Sequence, residues 1–143
     1  MKTLLPLAAY AALATLLPAQ TPAPQKLVSA VYDFNALPVT PTKTGVRRPV
    51  LEGPTTSVDM LHCHISTLNP GERSGEPRLH LQEEIIIVRD GTIEVNYDGQ
   101  VRTAGPGAVI FFAAHATTFL RNPGPTPATY TVVYYITPLT PKA

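Results

Sequence analysis

A single cysteine, Cys63, and no tryptophan occur among the 143 residues. One thiol excludes an internal disulfide, so packing must hold the fold. Charge is also scarce: Asp, Glu, Lys and Arg make up 15% of the chain, and the formal net charge is +1. That leaves no basic stripe or acidic tract to engage nucleic acid or a strongly charged partner. No amphipathic helix of convincing length and no internal repeat stand out beyond the first twenty or so residues. The apolar stretch Leu4–Leu17 falls short of the roughly 20 residues a membrane-spanning helix needs, and proline interrupts it.

Turn and strand chemistry is abundant instead. Sixteen prolines and nine glycines, with many Thr and Val residues, favour short strands and turns. The length fits one domain. Lys2, the apolar stretch after it and the small residues around Ala19 form the pattern of a secretory signal peptide; a retained membrane anchor is the alternative. The reading is then a signal peptide at 1–20, a flexible Pro-rich arm at 21–27, and a domain at 28–140. It places the protein in the periplasm or outside the cell, with no stable membrane span once the signal is removed.

Strand signals begin with short segments around Val28–Phe34 and Val46–Leu51. "SVDMLHCHISTL" then alternates with period two. Val58, Met60, His62, His64 and Ser66 share one face, and Asp59, Leu61, Cys63, Ile65 and Thr67 the other. Cys63 in this run reads as a buried, inert thiol. "RLHL" and "EIIIV" follow, then "TIEVNY" and "QVRTA" around Asp98-Gly99, the strongest hairpin signal in the chain. "AVIFFA" reads as a buried strand, and "TTFLR" and "ATYTVVYYI" complete the series. Many short strands separated by Gly/Pro turns predict an antiparallel sandwich or barrel.

Two segments carry a family pattern. "RLHLQEEIIIVRDG" resembles the first motif of the cupin superfamily, G-x5-H-x-H-x3,4-E-x6-G, with Arg78 in the first His place. His80 stands in the second His place, Glu84 in the Glu place, and Gly91 closes the motif. "GQVRTAGPGAVIFFAAHATTFLRN" resembles the second motif, from Gly99 through Pro106 and Gly107 to Asn122, with Thr118 where the motif has His. The stretches Thr44–Thr55 and His64–Gly71 are similar to those of small secreted single-domain cupins. The resemblance implies an all-β, antiparallel jelly-roll β-barrel with few or no helices outside the signal. It also implies a homodimer.

In that family two His, a Glu and a His from a second strand hold iron, manganese, zinc or nickel with open positions for substrate. Mapped onto this chain, only His80 and Glu84 remain. Arg78 opposes a metal further. A unit charge about 4 Å from a dication is repelled by roughly 8 kcal/mol at an effective dielectric near about 20, twice the figure for two unit charges. No metal cofactor is therefore expected. Arg78 is expected to take over the metal's charge and to pair with Glu84. The expected ligand pocket comprises Arg78, His80, Glu84, Thr118 and His64. If a divalent transition metal does bind, His80 and Glu84 would need His115 or His64 as a replacement ligand.

Other residues carry milder signals. His62 and His64 form an H-x-H pair on one strand face. His115 reads as an inward replacement ligand or as a solvent-facing loop residue. Glu83 is expected on the face opposite Glu84, and Asn122 as a turn former. Tyr130, Tyr134 and Phe112 are expected in the core, with one phenol able to face the pocket. Arg47 and Arg48 read as surface or dimer contacts. Three functions stay open. The first is a metal-free barrel that binds a small, carboxylated molecule. The second is a cupin-type enzyme (dioxygenase, isomerase or lyase) with rearranged metal ligands, or a metal-independent one with His80 as acid/base. The third is a structural protein that keeps only the barrel.

Overall fold

The computed structural model describes residues 24–141. The signal-peptide reading and the start of the arm lie outside the described residues. Within them, ten strands are arranged in two antiparallel sheets. The strands are β1 (Thr40–Thr42), β2 (Gly45–Gly53), β3 (Met60–Leu68), β4 (Arg78–Leu79), β5 (Glu84–Asp90), β6 (Ile93–Tyr97), β7 (Gln100–Ala104), β8 (Val109–Phe112), β9 (Thr117–Arg121) and β10 (Ala128–Ile136). The larger sheet runs β1-β2-β3-β10-β5-β8 and the smaller β4-β9-β6-β7. This is the all-β jelly-roll architecture expected from the strand rhythm.

The pleat sorts the side chains. Along β5 Glu84, Ile86 and Val88 are buried while Ile85 and Ile87 face out. Along β10 Ala128, Tyr130 and Val132 are buried, and Tyr134 packs against the same core. Ile93 and Val95 of β6 and Leu120 of β9 close the core from the smaller sheet. Polar residues on the inward face concentrate at one end of these strands, beyond Ile86 and Val132: Glu84, Tyr134 and, next to them, His62.

Asp98 and Gly99 adopt φ of 45° and 78° and join β6 to β7 in a two-residue loop. Positive φ at both central residues is the turn that strand twist favours. Gly91, which closes the first motif, has φ 78°, and a Cβ there would lie 2.8 Å from Ala128. Only glycine fits that approach.

Three expectations need correction. No strand covers Val28–Phe34. The Asp33 side chain accepts a hydrogen bond from the Asn35 amide at 2.8 Å and starts a 3-10 turn at Phe34–Ala36. Local Asx bonding of this kind competes with a strand ladder. Val31 is 97% exposed, and Phe34 is held under the guanidinium groups of Arg48 and Arg89. "AVIFFA" is buried on one face only: Phe112 is in the core with Ala108 and Ile110 against it, whereas Val109 and Phe111, on the outer side of the pleat, are 68% and 63% exposed. "RLHL" pairs as a ladder only at Arg78 and Leu79. His115, with φ 67°, bends the partner chain away, although its amide still donates to the His80 carbonyl at 2.6 Å.

Asn122 is the turn former expected of it, and more. It is fully buried. Its Nδ2 donates to the carbonyls of Leu68 at 3.1 Å and Thr126 at 2.8 Å, and its Oδ1 accepts from the Gly124 amide at 2.9 Å. One side chain thus fastens the end of β3 to the loop before β10. Asn122→Ala leaves these buried groups unsatisfied and should destabilise the fold by about 2–3 kcal/mol, read as a lower midpoint in urea unfolding.

Candidate functional site

A cavity of about 810 Å³ opens between the sheets. Arg78, His80, Glu84, Thr118 and His64, the five residues expected in the pocket, all line it. Their arrangement explains the two departures from the family motifs. Arg78 and Thr118 are direct partners across β4 and β9. Paired residues point to the same side of a sheet, so the two missing histidines would have stood opposite each other. The departures occupy one place in space.

Arg78 does not pair with Glu84 as expected. Its Nε donates to Nε2 of His80 at 3.2 Å, and Nδ1 of His80 faces Glu84 Oε1 at 3.5 Å. Arg78 is solvent-exposed, whereas His80 and Glu84 are buried. The imidazole therefore stands between guanidinium and carboxylate. Because Nε2 accepts from Arg78, the neutral ring carries its proton on Nδ1, toward Glu84. Burial pushes the His80 pKa down and the Arg78 charge adds to the effect. Burial pushes Glu84 up, and Arg78 opposes that shift.

A second array lies on β2 and β3. His62 Nδ1 meets Glu52 Oε2 at 2.6 Å, and His62 Nε2 lies 2.9 Å from His64 Nδ1. Nη2 of Arg47 is 3.1 Å from both of those ring nitrogens. Tyr134 stacks on His62 with ring centroids 4.5 Å apart. A bulge makes this possible. Arg47 and Glu52 are an odd number of residues apart and would face opposite sides of a regular strand. The register of β2 on β3 shifts between Pro49 and Leu51. Arg47 then pairs with Ser66 and Glu52 with His62, both on the face that carries His64. Bulges re-aim side chains in this way.

His64 is held neutral. Burial pushes its pKa down to about 3, helped by the charges of Arg47, His62 and Arg78. Burial raises the two phenols that line the cavity: Tyr130 to about 12, and Tyr134 above its ordinary value. Both keep their protons as hydrogen-bond donors. Cys63 is half-buried, and burial raises its thiol pKa as well, as fits an inert thiol.

Arg47, read as a surface or dimer contact, is exposed, but it has a further place that sequence reasoning missed. It lines the cavity. The bulge that turns it inward leaves no mark in the alternation around "RRPVLEG". His115 does not serve as an inward replacement ligand. It is exposed and absent from the cavity lining, and its backbone rather than its ring meets His80. Glu83, just before β5, is not part of the cavity lining.

The donor set does not fit a resident metal. Both nitrogens of His80 are turned to other groups, and the other motif positions carry Arg and Thr. Among the described residues no three His, Cys, Asp or Glu side chains are arranged to hold an ion.

Residues 64–134 match the family model described as a cupin domain. No curated protein matches the chain. Among solved structures, an RmlC-like cupin from Shewanella frigidimarina is similar at 16% identity and TM-score 0.63, covering 78% of this chain and 95% of its own. KdgF from a Halomonas species is similar at 17% identity and TM-score 0.63, covering 75% and 94%. A sugar phosphate isomerase of the cupin superfamily from Silicibacter pomeroyi is similar at 21% identity and TM-score 0.59, covering 76% and 77%.

The His64 shift predicts a pH response. An unfolded histidine takes its proton near pH 6.5, whereas folded His64 takes it only near about 3. Between these values the unfolded chain binds the extra proton, so acid destabilises the fold. His64→Asn removes this term. The melting temperature of the variant should fall less than that of the wild type between about pH 7 and about pH 5, as read by differential scanning fluorimetry.

Proposed function

Because the chain belongs to the cupin superfamily, a fold that hosts several activities, we propose that it is an exported binding protein whose barrel takes a small carboxylated molecule without a resident metal. The observation that carries this reading is the hydrogen bond from Arg78 Nε to His80 Nε2. It uses the ring nitrogen that a metal would need, and sets a fixed positive charge in its place.

Arg47 adds a second guanidinium to the same cavity. A guanidinium matches a carboxylate in shape and charge and can bind it through two parallel hydrogen bonds. Glu84 opposes this preference less than an exposed carboxylate would, because burial raises its pKa, against the pull of Arg78. Ile86, Phe112, Leu120 and Val132 supply apolar wall for a short carbon skeleton. The volume lies within the range of small-molecule pockets, roughly 300–1,000 Å³. Export rests on the pattern of residues 1–20.

Isothermal titration of the purified protein with a panel of small carboxylates, each beside its neutral amide, tests the reading. At least one carboxylate should bind where its amide does not. Arg78→Gln should weaken that binding by about 10- to 100-fold, the equivalent of a charge-assisted hydrogen bond. Carboxylates that bind no better than amides would refute the proposal.

Metal content gives an independent check. Arg78→His with Thr118→His puts ligands at the two facing positions, and the double variant should hold about one divalent ion per chain by elemental analysis, as a site completed to four protein ligands does. Wild type should hold far less. A full equivalent in the wild type would sink the metal-free reading.

A further inference from the structure

We infer that Phe112 is the wall that sets how long a carboxylate the cavity takes, and that a second, mostly apolar space is closed off behind its ring. This rests on the carboxylate-binding reading and adds a limit on the ligand's length.

The pairing of the strands puts the anchors and this wall on opposite sides of the barrel. The larger sheet ends in β8 and the smaller in β7. Arg47 stands on β2, four strands from β8, and Arg78 stands on β4, at the other edge of the smaller sheet. Arg78, Thr118 and Tyr97 form one row across β4, β9 and β6. Neighbouring strands lie about 4.8 Å apart, so Tyr97 stands about 10 Å across the sheet from Arg78. Phe112 ends the facing row on the larger sheet, where it pairs with Glu84. The rings of Tyr97 and Phe112 meet there, with centroids 6.5 Å apart and planes tilted by 43°. A carboxylate held by the two guanidinium groups therefore extends its carbon skeleton toward Phe112.

Behind that ring the barrel is not filled. No strand joins β8 to β7 among the described residues. A groove of about 460 Å³ runs along this seam, and Val95, Tyr97, Ala104, Ala108 and Ile110 are among its walls. Two of these are alanines, so little side-chain volume backs the Phe112 ring. Phe112 is 3% exposed, and it is the one described residue that lines both the groove and the main cavity. Its ring is the partition between them.

Such a partition acts on long ligands alone. Each methylene that finds apolar wall improves binding about fourfold. The first carbon to reach Phe112 meets a packed core ring instead, which must leave its rotamer to make room. A purely structural role for Phe112 would weaken every ligand alike when the ring is cut back.

The test is isothermal titration of the full-length protein with straight-chain monocarboxylates from acetate to octanoate. Wild-type affinity should rise about fourfold per added carbon up to a break and then fall. In Phe112→Ala the break should move by about two carbons or more. Octanoate should then bind about tenfold tighter than to wild type, and chains shorter than the wild-type break within about threefold of it. Phe112→Leu, which keeps an apolar side chain in the core, should move the break by about one carbon. Circular dichroism checks that each variant is folded, and Phe112→Leu alone decides where Phe112→Ala is not. A wild type without a break, the same break in wild type and variants, or uniform weakening overturns the role of Phe112 and leaves carboxylate binding intact. So does a series that binds no protein while another carboxylate still binds in preference to its amide. If none does, both readings fall.

Discussion

The hydrogen bond from Arg78 to His80 decides what this cavity is. A histidine nitrogen inside a barrel can meet a metal, a donor or nothing. Here it meets a guanidinium that cannot lose its proton. The consequences follow in order. The His80 tautomer is fixed, its Nδ1–H turns to Glu84, and a buried carboxylate faces a polarised ring rather than an ion. Thr118, directly across from Arg78, is small and neutral and leaves the long side chain room. The pair Arg78–Thr118 therefore behaves as one substitution spread over two strands.

The second organising constraint is the pleat together with its single exception on β2. Glu52, His62, Tyr134, Glu84 and Phe112 are cross-strand partners in sequence from β2 through β3, β10 and β5 to β8. This transverse row sets the carboxylate–histidine array and the Arg78–His80–Glu84 array on either side of Tyr134. Its position in the row depends on the register shift near Val50. Without that shift Glu52 or Arg47 would leave the inward face, and the histidines would keep one partner instead of both.

The sequence made the fold legible because its signals are local and repeated. Period-two runs, Asp98-Gly99 and the two motifs each mark a strand or a turn by neighbouring residues alone. The lining by Arg78, His80, Glu84, Thr118 and His64 was also legible, since motif positions fix direction once the strands are assigned. What was hidden depends on pairing between distant strands. Arg47 looked like surface because a bulge cannot be read from alternation in "RRPVLEG". Arg78 was assigned to Glu84 by charge, yet its hydrogen bond goes to the imidazole two residues away on the same strand face. Val28–Phe34 has strand-like residues, but the Asx turn at Asp33 and the lack of a neighbouring strand keep it out of the sheets.

The two arrays divide the polar work of the cavity by how each treats charge. At Arg78–His80–Glu84 a fixed cation, a ring held toward neutrality and an acid whose pKa burial raises put the guanidinium charge at the open side of the cavity, placed to meet an anion. At Glu52–His62–His64 the carboxylate lies toward solvent and the neutral His64 imidazole toward the cavity, with Arg47 against both rings. Arg47 and Arg78 join the two. Burial, helped by their charge, keeps His64 unprotonated. A metal would couple anchoring and acid–base chemistry through one ion. In the proposed function the fixed guanidinium groups of Arg47 and Arg78 take over the anchoring alone.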